Sequence, residues 1–272
     1  MKKIKLLDDT LVPYDYMTHH IVPNPLVWKR DETEPEVVVG IANNGINQLE
    51  NYSNCIKCAW VIEPEIINGE DYVNVIKNQE KYDYIFLHDL SKKHLIDSKK
   101  FVYIPHGGTH LREEDIKIHE KTKLVSFIFS NKQWNGYHSF RHKIYPEIKD
   151  KVDSFGTGCN RYIQYKSEGL NNYCFSIAME NFDSPGLFTE KLLDCLLTGT
   201  IPIFYGTKNI GSYFNKNGFF QFETIEELHN IIDLLTFEKY QEMKEYVIEN
   251  FNKAKDYIFP EIIIQNFLNN VQ

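Results

Sequence analysis

The feature that most constrains the fold is a rhythm of short apolar runs, each cut off by polar or glycine-proline punctuation and followed by a polar stretch that suits a helix. EVVVGIA (36–42) ends in Asn-Asn-Gly, CAWVI (58–62) in Glu63-Pro64-Glu65, YIFL (84–87) in His88-Asp89, and FVYI (101–104) in Pro105-His106-Gly107-Gly108. Runs this short and continuously apolar predict strands buried on both faces, and polar stretches such as 69–80 supply the crossover helices of a parallel α/β sheet. A charged stretch at 112–123 interrupts the rhythm, which then restarts. LVSFIF (124–129) ends in Ser130-Asn131, the run 152–155 in Gly156-Thr157-Gly158, the run 175–179 at Glu180-Asn181, and IPIFY (201–205) runs into Gly206. Helices are expected over 138–149, over 189–198 with Thr189 as N-cap, over 223–235, and over 237–270 with a break near Pro260. The reading is an α/β chain of two successive units, 1–115 and 116–250, with a helical tail at 251–272.

Open α/β sheets bind ligands at the carboxyl ends of their strands. That rule directs attention to Glu63, His88, His106, Ser130, Asn181 and Gly206, and to a cleft between two such units. The 272 residues carry a net charge of −8, which disfavours nucleic acid as a partner because phosphate contacts need a basic face. No run of about 18 apolar residues exists, so no membrane span is expected. The basic start, MKKIKLLDD, meets Asp8 and Asp9 before any apolar segment forms, unlike a secretory signal. Five cysteines without a signal suggest reduced thiols, and the expectation is a cytoplasmic protein, bacterial or virus-encoded. Cys55 and Cys58 have metal-ligand spacing, but no second pair follows, and ordinary core thiols are expected. His138 and His142 are also suitably spaced for a metal, yet lack a third ligand; a solvated helix face is expected there. The acid pairs Asp8-Asp9 and Asp31-Glu32 are poorly placed for a metal site.

The most informative stretch is YCFSIAMENFDSPGLFTEKLLDCLLTGTIPIFYG (173–206). A buried strand delivers Glu180-Asn181 to a sheet edge, a Gly/Pro loop follows, and Thr189 opens a helix with Glu190 and Lys191 in its first turn. A helix N-terminus offers free backbone N–H groups and the positive end of the macrodipole, which suits a diphosphate. Lys191 opposes that dipole, and its place is easier to understand if an anion joins it; a capped helix with a solvated lysine is the plainer alternative.

The same stretch resembles the signature of the α1,3-fucosyltransferases, glycosyltransferase family ten. That family has a Phe-Glu-Asn element, a short loop, Tyr-x-Thr-Glu-Lys-Leu, and a Pro-Ile/Val-x-x-Gly strand about ten residues on. The counterparts here are Met179-Glu180-Asn181, Leu187-Phe188-Thr189-Glu190-Lys191-Leu192 and Ile201-Pro202-Ile203-Phe204-Tyr205-Gly206. Residues 126–141 (SFIFSNKQWNGYHSFR) resemble the family's Ser-Asn strand followed by a phosphate-contacting arginine, whose place Arg141 takes. Residues 152–160 resemble its next strand and glycine turn. Upstream, 37–44, 58–65 and 82–89 resemble the acceptor side, where a Gly-Glu pair supplies the catalytic base; Glu63 matches, with Ile62 in place of the glycine. Leu187 replaces a tyrosine that helps hold the donor, and Phe182 stands where the family has Ser or Thr.

The resemblance implies two Rossmann-like lobes facing a cleft, the GT-B architecture. It implies inverting transfer of fucose or a related sugar from a nucleoside-diphosphate donor, GDP-sugar favoured, to a hydroxyl of a glycan or other acceptor. No cofactor beyond this co-substrate, and no metal, is implied. Glu63 would be the base, with Glu65, Glu70 and His88 as substitutes. Arg141 and Lys191 would stabilise the leaving diphosphate with the helix that starts near Thr189, and Asn181 and Glu190 would bond donor hydroxyls. His88, His106 and Ser130 are candidate acceptor or phosphate contacts. Two other readings stay open: a glycosyltransferase acting on nucleic acid, with Trp134 and Tyr137 stacking on bases, and a lapsed transferase that binds carbohydrate.

Overall fold

Parallel strands need crossovers, and the chain supplies them twice. The computed structural model describes residues 2–8, 25, 26 and 28–271; Asp9, half of one acid pair, lies outside them. The chain divides into two compact units. The first comprises Met1–His106, Ser184–Leu187 and Phe259–Gln272, and the second Gly107–Asp183 and Phe188–Ile258.

The first unit holds five parallel strands: β1 (Ile4–Leu7), β2 (Val37–Ile41), β3 (Ile56–Val61), β4 (Tyr84–Leu87) and β5 (Phe101–Tyr103), adjacent in sequence order. Alternate residues point to opposite faces of a strand. Val37, Val39, Cys58, Trp60 and Phe86 therefore pack on one side, against Trp28 and against Ile264 and Leu268 of the last helix, α8 (Pro260–Asn269). Val38, Ala59, Val61, Ile85 and Leu87 pack on the other. There they meet Ile46 of helix α1 (Ala42–Gln48) and Tyr72 and Val75 of α2 (Gly69–Lys77). Two covered faces explain why these strands read as unbroken apolar runs.

The second unit contains β6 (Lys123–Ile128), β7 (Asp153–Phe155), β8 (Tyr173–Met179), β9 (Ile201–Tyr205) and β10 (Phe220–Gln221), all parallel, in the order β10-β9-β8-β6-β7. Its helices are α3 (Gly136–Ile148), α4 (Glu190–Leu197), α5 (Ile225–Leu234), α6 (Phe237–Glu242) and α7 (Lys244–Ala254). Phe127, Phe175, Ile177, Ile201 and Ile203 share a core with Ile144 of α3, Leu228 of α5 and Val247 of α7. The chain leaves β6 through α3 to β7 on one side, then returns to β8 on the other side of β6. Such a reversal splays the crossovers apart and opens a crevice at the carboxyl ends of the two strands.

All eight expected strands are present. β1 and β10 are additions: Ile4–Leu7 follows two lysines, contains a third and pairs with β2 and, by a single bridge, with Lys29, and β10 is two residues long. Pro260 starts α8 rather than merely interrupting a longer helix, a position where its missing N–H costs no hydrogen bond.

Candidate active site

The crevice at the β6/β8 reversal is a concavity of ≈ 390 Å³. Ser130 ends its β6 wall, Asn181 lies just past β8, Arg141 comes from α3, and Glu190 and Lys191 from the first turn of α4. Four of the residues expected to bind the donor, Arg141, Asn181, Glu190 and Lys191, thus line one cavity within the second unit together with Ser130, a candidate acceptor or phosphate contact. Gly156 shapes the β7 side. Its φ is +101°, and a Cβ there would stand 2.2 Å from the Phe129 carbonyl oxygen, so only glycine fits without displacing the backbone.

The α4 end is organised by a carboxylate. Glu180 is wholly buried. Its oxygens accept from the Thr189 backbone N–H at 2.8 Å and from Thr189 Oγ1 at 2.8 Å. Thr189 caps α4, its hydroxyl oxygen accepting the Lys191 N–H at 3.3 Å, as expected of an N-cap. Lys191 Nζ also reaches Thr189 Oγ1 (3.0 Å), Glu190 Oε1 (3.0 Å) and Glu180 Oε2 (3.4 Å). Burial works against the ammonium, yet Glu190 and then Glu180 more than offset it and hold the Lys191 pKa above the ordinary lysine value. The anions that make a lysine tolerable against the helix dipole are therefore, first, the protein's own.

Arg141 is different. It is 6% exposed, donates from Nη2 to the Met179 carbonyl at 2.8 Å, and leaves a buried Nε with no partner. No carboxylate among the described residues forms a salt bridge with it; Glu147 and Asp150, which a purely structural arginine would use, do not pair with it. Burial lowers its pKa, while the more distant charges of Glu180 and Glu190 oppose the shift. A buried cation with one carbonyl partner is costly unless an anion joins it.

Other lining residues carry no obvious mark in the sequence. Lys166 Nζ pairs with Asp194 Oδ2 at 2.7 Å and donates to the Glu190 carbonyl at 3.2 Å. Asp194 is fully buried and also accepts from Thr109 Oγ1 at 2.6 Å, tying that loop to α4. An aspartate inside the apolar run LLDCLL was the one available signal. His138 corrects an expectation: it is 4% exposed, not solvated, and it lines the concavity. Asn135 caps α3 and starts that helix at Gly136, two residues before the expected start, because its carboxamide accepts the His138 backbone N–H at 2.9 Å.

The remaining candidates lie in the first unit. Glu63 is exposed in the turn after β3. Glu65 is engaged by Lys92 at 2.6 Å. Asp71, in the first turn of α2, is buried with Oδ1 unpartnered. Burial pushes its carboxyl up to about 6; the Asn68 hydrogen bond opposes this, and the charges of Glu63 and Glu70 reinforce it. His88 is buried, bonds to the Val61 backbone and approaches the Tyr72 hydroxyl at 3.4 Å. Burial and the neighbouring His106, whose ring lies 5.8 Å away edge-on, lower its pKa to about 3. Leu187, in the place of the family tyrosine, is fully buried. All five cysteines are free, and Cys58 sits in the sheet core, where burial raises its thiol pKa. Among the described residues, no three His, Cys, Asp or Glu side chains are grouped to hold a metal ion, and no helix is long and apolar enough to cross a membrane.

The profile of Glycosyltransferase family 10 (fucosyltransferase), C-terminal part, matches residues 118–260. The α-(1,3)-fucosyltransferase FucT of Helicobacter pylori is 29% identical over 75 residues, which is 28% of this chain and 16% of that protein. Protein R654 of Acanthamoeba polyphaga mimivirus, a fucosyltransferase by assigned name only, is 24% identical over 253 residues, 83% of this chain and 40% of its own length. The chain therefore matches less than half of the length of either relative. Among solved structures, an α1,3-fucosyltransferase with GDP superimposes with a TM-score of 0.55 at 18% identity, covering 89% of this chain and 81% of that one. The fold class is the expected one, α/β of the GT-B type. With the family profile extending over more than half of its residues, the chain belongs to glycosyltransferase family 10, the fucosyltransferases.

Proposed function

We propose that the chain is an inverting glycosyltransferase that moves fucose or a related sugar from a nucleoside diphosphate, GDP favoured, to a hydroxyl of a glycan or other acceptor. The observation that carries this reading is Arg141, a buried guanidinium with an unpartnered Nε at the switch-point cavity. A diphosphate would supply the anion it lacks, and its planar fork suits phosphate oxygens. The N-terminus of α4 adds backbone N–H groups and Lys191 adds a second cation. Asn181 and Glu190 are the proposed partners of donor hydroxyls; His106 and Ser130 remain proposed acceptor or phosphate contacts. His88, buried and committed to Val61 and Tyr72, is a weaker one.

In the proposed step the acceptor oxygen attacks the anomeric carbon as its proton passes to the Glu63 carboxylate. The bond from that carbon to the phosphate oxygen breaks on the opposite face. Its electron pair leaves with the diphosphate, where Arg141 and Lys191 stabilise the charge. These cations would do the work a metal does elsewhere, so chelator is expected to leave turnover unchanged.

A thermal-shift panel of GDP-, UDP- and dTDP-sugars tests the reading, because a ligand of the native state raises its apparent stability. One donor class should stabilise the wild type and lose that effect in Arg141→Ala. Stabilisation by none of the panel, or equal stabilisation of the variant, would contradict it.

A further inference from the structure

His138 precedes Arg141 by three residues on α3, so both side chains leave the same face of the helix. Both line the switch-point concavity, and each carries a buried nitrogen without a partner, Nδ1 of His138 and Nε of Arg141. The His138 backbone is held by the Asn135 cap, and the Trp134 ring stands edge-on to the imidazole at 5.8 Å. The charged and titratable groups that face it are Arg141 and His142 from α3, Lys132 from the preceding loop and Lys191 from α4. The carboxylates in the neighbourhood, Glu180 and Glu190, are taken up by Lys191. A buried imidazole surrounded by basic groups, with an orphaned nitrogen, has the surroundings of a group waiting for an anion.

We propose that His138 is a further binding residue of this site, contacting the anionic group of the donor beside Arg141 and taking up a proton as that group enters. The proposal rests on the reading of the cavity as a nucleoside-diphosphate site. Without ligand, burial first, then Arg141, Lys132, Lys191 and His142, push its pKa down to about 4, so the ring is neutral at physiological pH. An anion within hydrogen-bonding reach reverses the local field and favours the imidazolium. Binding and protonation are then linked, and affinity for the donor rises as pH falls. A sugar diphosphate has no group of its own that titrates near neutrality, so the proton must come onto the protein.

Isothermal titration calorimetry of the full chain with GDP-fucose, in buffers of different ionisation enthalpy, tests this. UDP-glucose is the second probe where GDP-fucose does not bind. Wild type is expected to bind about fivefold more tightly near pH 6 than near pH 8, with uptake of roughly half a proton per donor. His138→Gln is expected to bind more weakly at the lower pH and to show no pH dependence. Affinity that ignores pH in the wild type, or a dependence that survives in His138→Gln, overturns the assignment. Should that variant fail to fold, wild-type proton uptake decides alone, and zero uptake overturns it. A wild type that binds neither nucleotide sugar removes the donor-site reading and this inference together, whereas binding without proton uptake removes only the role of His138.

Discussion

Arg141 and Lys191 look alike in sequence, two cations matching a family pattern, and differ in physical state. Lys191 is neutralised by Glu180 and Glu190, whereas Arg141 has only a carbonyl. Arg141→Lys, though it keeps the charge, loses the fork and should weaken donor binding about tenfold or more. Lys191→Ala should act at least as strongly on turnover as on affinity, since it also frees two buried or half-buried carboxylates to repel the leaving group. Steady-state kinetics of both variants checks this: an unchanged kcat/KM for Arg141→Lys would place the guanidinium outside the site. The base is tested in the same way. Glu63→Gln should lower kcat by roughly a hundredfold with little change in donor affinity. If Asp71→Asn does so instead, the buried carboxylate with the raised pKa is the base. The residues that carried the resemblance were legible from their order alone. Glu180 was legible as part of the motif but not as the partner of Lys191, and Lys166 and Asp194 were not legible as site components, because a buried charge pair across 11 or 28 residues of sequence leaves no periodic mark.

At the scale of elements, strands were easier to read than helices. A strand buried on both faces is an unbroken apolar run, whereas α1 begins at Ala42 with φ 53° and offers only Ala-Asn-Asn-Gly as its opening. The N-terminus of α4 was readable because a threonine followed by Glu-Lys and an apolar run has few other interpretations, and Thr189 does cap it. Thr189→Val removes the cap and the hydroxyl's bond to Glu180, leaving the backbone N–H bond, and should cost about 1–2 kcal/mol in urea unfolding; a loss below about 0.3 kcal/mol would show that Glu180 orders this turn through the backbone N–H alone. Gly156→Ala meets the Phe129 carbonyl and a backbone angle that disfavours a side chain. It should destabilise the second unit by more than about 1 kcal/mol, the usual scale of a strained turn substitution, and soften the β7 wall of the cavity.

For the whole molecule the buried histidines set the response to acid. His88 and His138 have pKa values of about 3 and about 4, below the ordinary 6.5. The unfolded chain therefore binds more protons than the folded one between those values and 6.5. Their contribution to stability is complete above that window and is lost as pH falls through it. Asp71, raised to about 6, and Asp183, also raised by burial, run the other way over part of the range, whereas His110 and His119, lowered by burial, act in the same sense as His88 and His138. Urea midpoints should thus fall between about pH 7 and pH 5, and fall less steeply in His138→Gln; a midpoint that rises on acidification would mean that these rings are charged in the native state. The presence of two parallel sheets was visible in the restart of the strand rhythm. That segments 184–187 and 259–272 belong with the first unit was not, since it depends on packing between residues far apart in the chain.

The central claim is that one guanidinium, one ammonium and the mouth of α4 receive a diphosphate at the β6/β8 switch point. A crystal structure of the full chain with GDP tests it most directly. The expected result is phosphate oxygens within hydrogen-bonding distance of Arg141 and of the Thr189–Lys191 turn. Diphosphate bound elsewhere, with the Arg141 guanidinium still held by Met179 alone, would contradict it.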